Sequence, residues 1–178
     1  MKKNLRAIAI VGTLLGAASV GAHAADGTIT FTGNVTAQTC TISGNGGTSS
    51  FTVALPTVSA SSLAAAGQTA GRTPFNIALT NCAQSGNVHT FFEQGPTIDT
   101  TTGNLLVNAG GATNVEIQLQ NADLSTIALN QADSAQKSES VAISSGAATL
   151  NYYAQYFATG KATAGAANSS VMYTMSYN

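Results

Sequence analysis

The stretch GAANSSVMYTMSYN, residues 165–178, decides the fold. From Val171 onward, Val171, Tyr173, Met175 and Tyr177 occupy every second position. Successive side chains of a strand point to opposite faces, so this spacing predicts a strand with one apolar face. Tyr177 is followed by Asn178 alone, so nothing downstream is expected to cover the edge on which it lies. An uncovered apolar edge invites aggregation unless another strand pairs with it.

Working upstream, strand signals continue and helix signals are scarce. Leu150 to Thr159 reads as a longer strand rich in Tyr and Phe, and Val141 and Ile143 mark another. Val115 to Leu119 and Ser125 to Leu129 flank a turn at Asn121-Ala122-Asp123, and Gly103 to Val107 lies just before them. Val88 to Glu93 is a short strand, while Phe75, Ile77 and Leu79 alternate into Cys82. Phe51, Val53 and Leu55 alternate up to Pro56, and Thr39 to Ser43 ends at Gly44-Asn45-Gly46-Gly47. Gly27 to Val35 also alternates, with Thr28, Thr30, Thr32 and Asn34 on the other face. Ser61 to Ala66 is the one helical turn, stopped by Gly67. Thr97 to Asn104 and Thr163 to Asn168 read as loops. Many short strands with regular turns predict an all-β antiparallel sandwich.

The beginning of the chain carries an address. Lys2, Lys3 and Arg6 precede an apolar run from Ala7 to Val20, and Ala22-His23-Ala24 offers a small–x–small cleavage site. This order predicts a signal peptide over 1–24, too short to span a bilayer comfortably. The mature part holds seven acidic side chains against Arg72, Lys137 and Lys161, a net charge of −4. A sparse acidic surface argues against nucleic acid or anionic membrane as partner, and no later segment reads as a membrane span. Export implies an oxidising compartment, where Cys40 and Cys82 are expected to pair. Closing the loop of about 43 residues from Cys40 to Cys82 stabilises a fold by roughly 4 kcal/mol in the chain-entropy model.

Several segments together resemble one family. Gly165 stands fourteen residues from the end and Tyr177 is penultimate. YFATGKATAGAAN (156–168), FNIALTNC (75–82) and FTGNV (31–35) with Cys40 shortly after are similar to the corresponding stretches of chaperone–usher pilins, most closely the type 1 fimbrial major-subunit family. The resemblance covers nearly the whole mature chain. It implies an incomplete immunoglobulin-like sandwich lacking its final strand, with a short N-terminal donor strand at 25–32 ahead of a pilin domain at 33–178.

The resemblance also implies a mechanism. A neighbour's N-terminal strand fills the groove left by the missing one, after a periplasmic chaperone has lent a strand of its own. Gly27, Ile29 and Phe31 would be the donor residues, Gly27 being the family's small donor position. Gly165, Val171, Tyr173, Met175, Tyr177 and Asn178 would form the acceptor groove and the chaperone-binding edge, with basic chaperone residues holding the terminal carboxylate. The partners implied are that chaperone, an outer-membrane usher and neighbouring pilins in a homopolymer. The product is a cell-surface fimbrium reached through the periplasm. Only Ala25 and Asp26 precede Gly27, so Ala25 would be the outermost donor.

Other classes fare worse. A single mature histidine, His89, allows a triad only one base, and no G-x-S-x-G elbow is present. Glu93, Asp99 and Glu116 are too scattered for a carboxylate pair, and Gly44 to Gly47 lacks the lysine and helix of a phosphate loop. No catalytic residue, metal or cofactor is expected. Tyr152, Tyr153, Tyr156 and Phe157 suggest a sugar-stacking platform, but alternation along a strand favours core packing. A carbohydrate-binding adhesin or a minor adaptor subunit is the alternative; a tip adhesin's separate lectin domain would not fit in this length.

Overall fold

The computed structural model describes residues 30–33 and 40–178. The signal-peptide reading and the donor residues Gly27 and Ile29 lie outside the described residues. The chain divides into a unit over 1–35 and a unit over 36–178. In the first, Thr30 to Gly33 are exposed, Phe31 to 89%.

The second unit is a sandwich of two antiparallel sheets. Its strands are β1 (Thr41–Gly44), β2 (Thr69–Thr80), β3 (Gly86–Phe92), β4 (Leu105–Leu106), β5 (Val115–Asn121), β6 (Ser140–Ile143), β7 (Ala148–Ala158) and β8 (Tyr173–Tyr177). One sheet runs β1-β2-β7-β5-β4 and the other β6-β3-β8. Helix is confined to short 3-10 turns among the described residues. The turn at Ala60–Leu63 starts on Ser59, whose side chain accepts from the Ser61 N–H.

Alternation builds the core. In β7, Leu150, Tyr152 and Ala154 face inward, opposite Ile77, Phe75 and Thr73 of β2. Val88 and Phe92 of β3 meet them from the other sheet, with the Phe92 ring edge-on to Tyr152 at 5.7 Å. Burying such side chains contributes roughly 1.5–3 kcal/mol each. The disulfide Cys40–Cys82 forms and ties the chain entering β1 to the chain leaving β2.

Several expectations are corrected. β2 begins at Thr69, ahead of the apolar alternation, because the register shift between Ala70 and Thr73 lets Gly71, at φ +70°, bulge out of the ladder. Phe51, Val53 and Leu55 alternate in burial but form no ladder among the described residues. Ser125 to Leu129 makes a single bridge, Gln120 to Thr126, although Ile127 and Leu129 are fully buried. Periodic burial records which face a side chain takes; it does not supply a strand neighbour. The helical turn comes one residue early and shorter, and β4 keeps only Leu105 and Leu106 of the Gly103–Val107 run.

Candidate functional site

β8 is a sheet edge. It pairs antiparallel with β3, placing Tyr177 opposite Val88, Ser176 opposite His89 and Met175 opposite Thr90. No strand pairs with its other side among the described residues. Met175 points into the core, where the Thr90 hydroxyl donates to its sulfur at 3.9 Å. Val171, Tyr173 and Tyr177 are only half-buried and pack on the rim of the same core.

The facing rim is the extended segment before the 3-10 turn. Phe51, Val53 and Leu55 are half-buried there, with Thr52 and Ala54 exposed between them. The Phe51 ring lies 6.2 Å from Phe75 of one sheet and 6.4 Å from Tyr173 of the other. The Tyr173 hydroxyl donates to the Ser49 carbonyl at 2.7 Å. Among the described residues no main-chain hydrogen bond joins 49–58 to 165–177. The seam between the two sheets is therefore lined by apolar side chains and crossed by side-chain contacts, without a ladder. Burial pushes the Tyr173 phenol above its ordinary range, as it does Tyr156.

Further along, a cavity of about 330 Å³ opens among Val58, Leu63, Val115, Tyr156 and Ala167. Gly165 belongs to its wall. A Cβ there would sit 2.6 Å from the Ala112 amide nitrogen, next to the bond from the Ala112 N–H to the Ala166 carbonyl. A side chain at Gly165 would push these two strands of chain apart.

The structure thus brings Val171, Tyr173, Met175 and Tyr177 to one edge and places Gly165 apart from them, in the wall of the cavity lined by Val58 and Ala167. Asn178 is exposed and continues the pairing, exchanging both main-chain bonds with Asn87. Gly86 stands so close to the Asn178 oxygen that any side chain would collide with it. Phe51, Val53 and Leu55 are the rim residues missed by reading site positions from the C-terminus alone. Their alternation was visible, but nothing in sequence set them opposite β8.

The outward face of β8 carries another set of contacts. Asp133 accepts from Ser176 Oγ at 2.9 Å through Oδ2 and lies 2.7 Å from His89 Nε2 through Oδ1. Thr174 donates to Glu93 at 2.6 Å. His89 thus has a carboxylate partner on the outward face of the sheet. The aromatic run of β7 splits by alternation: Tyr152 and Tyr156 pack with the core, while Tyr153 and Phe157 are half-buried on the opposite side of the strand. Among the described residues no helix is long and apolar enough to cross a membrane.

Comparison with known proteins agrees with this architecture. Residues 55–178 match the family model for the type-1 fimbrial protein, A. The chain is 50% identical to the major fimbrial subunit SMF-1 of Stenotrophomonas maltophilia, over 93% of this chain and 100% of that one. It is 49% identical to the F17 fimbrial protein of Escherichia coli, over 94% and 96%. Among solved structures, a chaperone–usher pilus chain superposes with a TM-score of 0.62 at 22% identity, covering 86% of this chain and 96% of that one. That likeness establishes the fold: an immunoglobulin-like pilin sandwich left incomplete at its last edge. The chain belongs to the type-1 fimbrial protein family and is a structural subunit of a surface fimbria.

Proposed function

We propose that this subunit polymerises by strand addition, its seam at β8 receiving residues 25–32 of a neighbouring copy. The observation that carries this reading is the apolar seam. Phe51, Val171, Tyr173 and Tyr177 stand half-buried along two rims that no ladder joins among the described residues. A strand laid between them would gain main-chain bonds from β8 and bury alternate side chains, the usual physics of strand addition.

Ile29 and Phe31 are the knobs of the donor. Phe31, at 89% exposure, is an apolar side chain with much to gain from burial, roughly 1.5–3 kcal/mol. Gly27 would be the small position between them and the outermost residue, Ala25. The cavity beside Gly165, walled by Ala112, Ala166 and Ala167, is suited to a small group such as the Ala25 methyl.

Before assembly the exposed edge needs a temporary cover, because a bare apolar edge aggregates. A periplasmic chaperone supplying a strand, and an outer-membrane usher at which neighbours exchange it, meet that need. The signal at 1–24 would deliver the chain to that compartment. Identity near one half to a major subunit along almost the full length favours a homopolymeric shaft over an adaptor.

The deciding experiment is deletion of residues 25–32 from the mature chain, co-expressed with its chaperone. The truncated subunit should be captured and should accept a donor, yet should fail to extend a fibre. Long fibres built from it would refute the donor assignment.

A further inference from the structure

We propose that Asp133, together with Glu93, sets the register of β8 on β3 and so positions the strand-accepting edge. This rests on the reading of β8 as that edge.

Alternation in VMYTMSYN fixes which face of β8 is apolar, since a slip of one residue would turn every side chain over. It does not distinguish registers two residues apart. After such a slip Tyr173 or Tyr177 would occupy the core position of Met175, and an apolar group would still point inward. Something else must select the observed pairing.

The outward face supplies it. His89 and Ser176 are direct cross-strand partners, and Asp133 bridges them, one carboxylate oxygen to each. Two positions along β8, Thr174 bonds Glu93. A slip that brings Thr174 to Asp133 leaves apolar Met172 facing Glu93. Asp133 is itself held. It opens the 3-10 turn Asp133–Ala135, and the next residue, Gln136, is fully buried and bonded to the main chain of Phe92 in β3. The carboxylate therefore hangs from a rigid attachment to β3 and reaches across to β8. Hydrogen bonds to a charged group are stronger than neutral ones, which suits a short strand that, among the described residues, is laddered on one side only.

Amide hydrogen exchange on the mature chain in complex with its chaperone, together with uptake of a peptide spanning residues 25–35, tests this. Asp133→Ala should raise exchange at residues 173–177 about tenfold relative to β2 and β7, and should slow peptide uptake by a similar factor. Ser176→Ala should act in the same direction but less strongly, since it spares the contact of Asp133 with His89, and the double variant should be no worse than Asp133→Ala alone, which already lacks the Ser176 bond. Asp133→Asn, which keeps a hydrogen-bonding group in place, should recover most of the protection. Unchanged protection of β8 would overturn the proposal. So would an equal rise in β2 and β7, which would make Asp133 a general stabiliser. If the unmutated chain takes up no peptide, strand addition itself fails, and the register role is then decided by the exchange pattern alone.

Discussion

The side-chain amide of Gln136 pairs with the main chain of Phe92 as a neighbouring strand would. It accepts from the Phe92 N–H at 3.1 Å and donates to the Phe92 carbonyl at 2.7 Å. β6 pairs with β3 only as far as His89, so the main chain beyond would otherwise lose its partner on that side. Gln136 also bonds the Leu129 and Gln131 carbonyls and has no exposed surface.

Replacing Gln136 should therefore cost more than its size suggests. Gln136→Leu fills the space but leaves the Phe92 N–H and carbonyl buried and unpaired, each a penalty of about 1–3 kcal/mol. Urea unfolding of the strand-complemented subunit should show a loss of about 2–6 kcal/mol in total. A loss below half of one kcal/mol, on the order of a surface change, would contradict this role.

Gly44 leaves room for Phe51. A Cβ at Gly44 would collide with the Phe51 ring, which in turn contacts Tyr173 across the seam. Gly44→Ala should destabilise by about 1–3 kcal/mol through overpacking. Adding Phe51→Leu should recover part of that loss in the same unfolding assay, since the smaller side chain vacates the collision.

Gly165→Val should close the cavity between Val58 and Ala167 and force the Ala112 amide away from the Ala166 carbonyl. Donor uptake should slow at least tenfold, measured as the rate of peptide exchange from the chaperone complex. Uptake at the unmutated rate would separate the cavity from the accepting edge.

Tyr152 should make stability sensitive to alkali. Burial pushes its phenol above the usual value of 10.0, and the bonds to Ser138 and Thr90 only partly oppose this. The folded chain then holds the proton where the unfolded chain loses it. Its contribution is full below pH 10 and declines as pH rises towards the folded value. Tyr152→Phe should flatten that decline, while costing about 1 kcal/mol at neutral pH through the lost hydroxyl bonds. Unfolding midpoints between pH 8 and about 11 would check both effects.

The all-β class, the pairing of Cys40 with Cys82 and the apolar alternation of Tyr173–Tyr177 were legible in the sequence, while the resemblance implied that this strand lies at an edge. Each depends on local periodicity or on simple pairing of few groups, and local rules carry that information along the chain. Alternation also marked Phe51, Val53 and Leu55 correctly as inward-facing. What it could not reveal is that they form the rim opposite β8, joined to it by no ladder among the described residues.

Only the tertiary structure decided the long-range polar pairings. Asp133 meets His89 and Ser176 from 44 and 43 residues away, and Gln136 reaches Phe92 across 44. A carboxylate or an amide in a loop has no periodic signature, because its partner is chosen by how the sheets stack. The sequence by itself determined which faces are apolar, and the sheet order placed the last strand at an edge. The fold determined what stands across from that edge and which polar groups hold it in register.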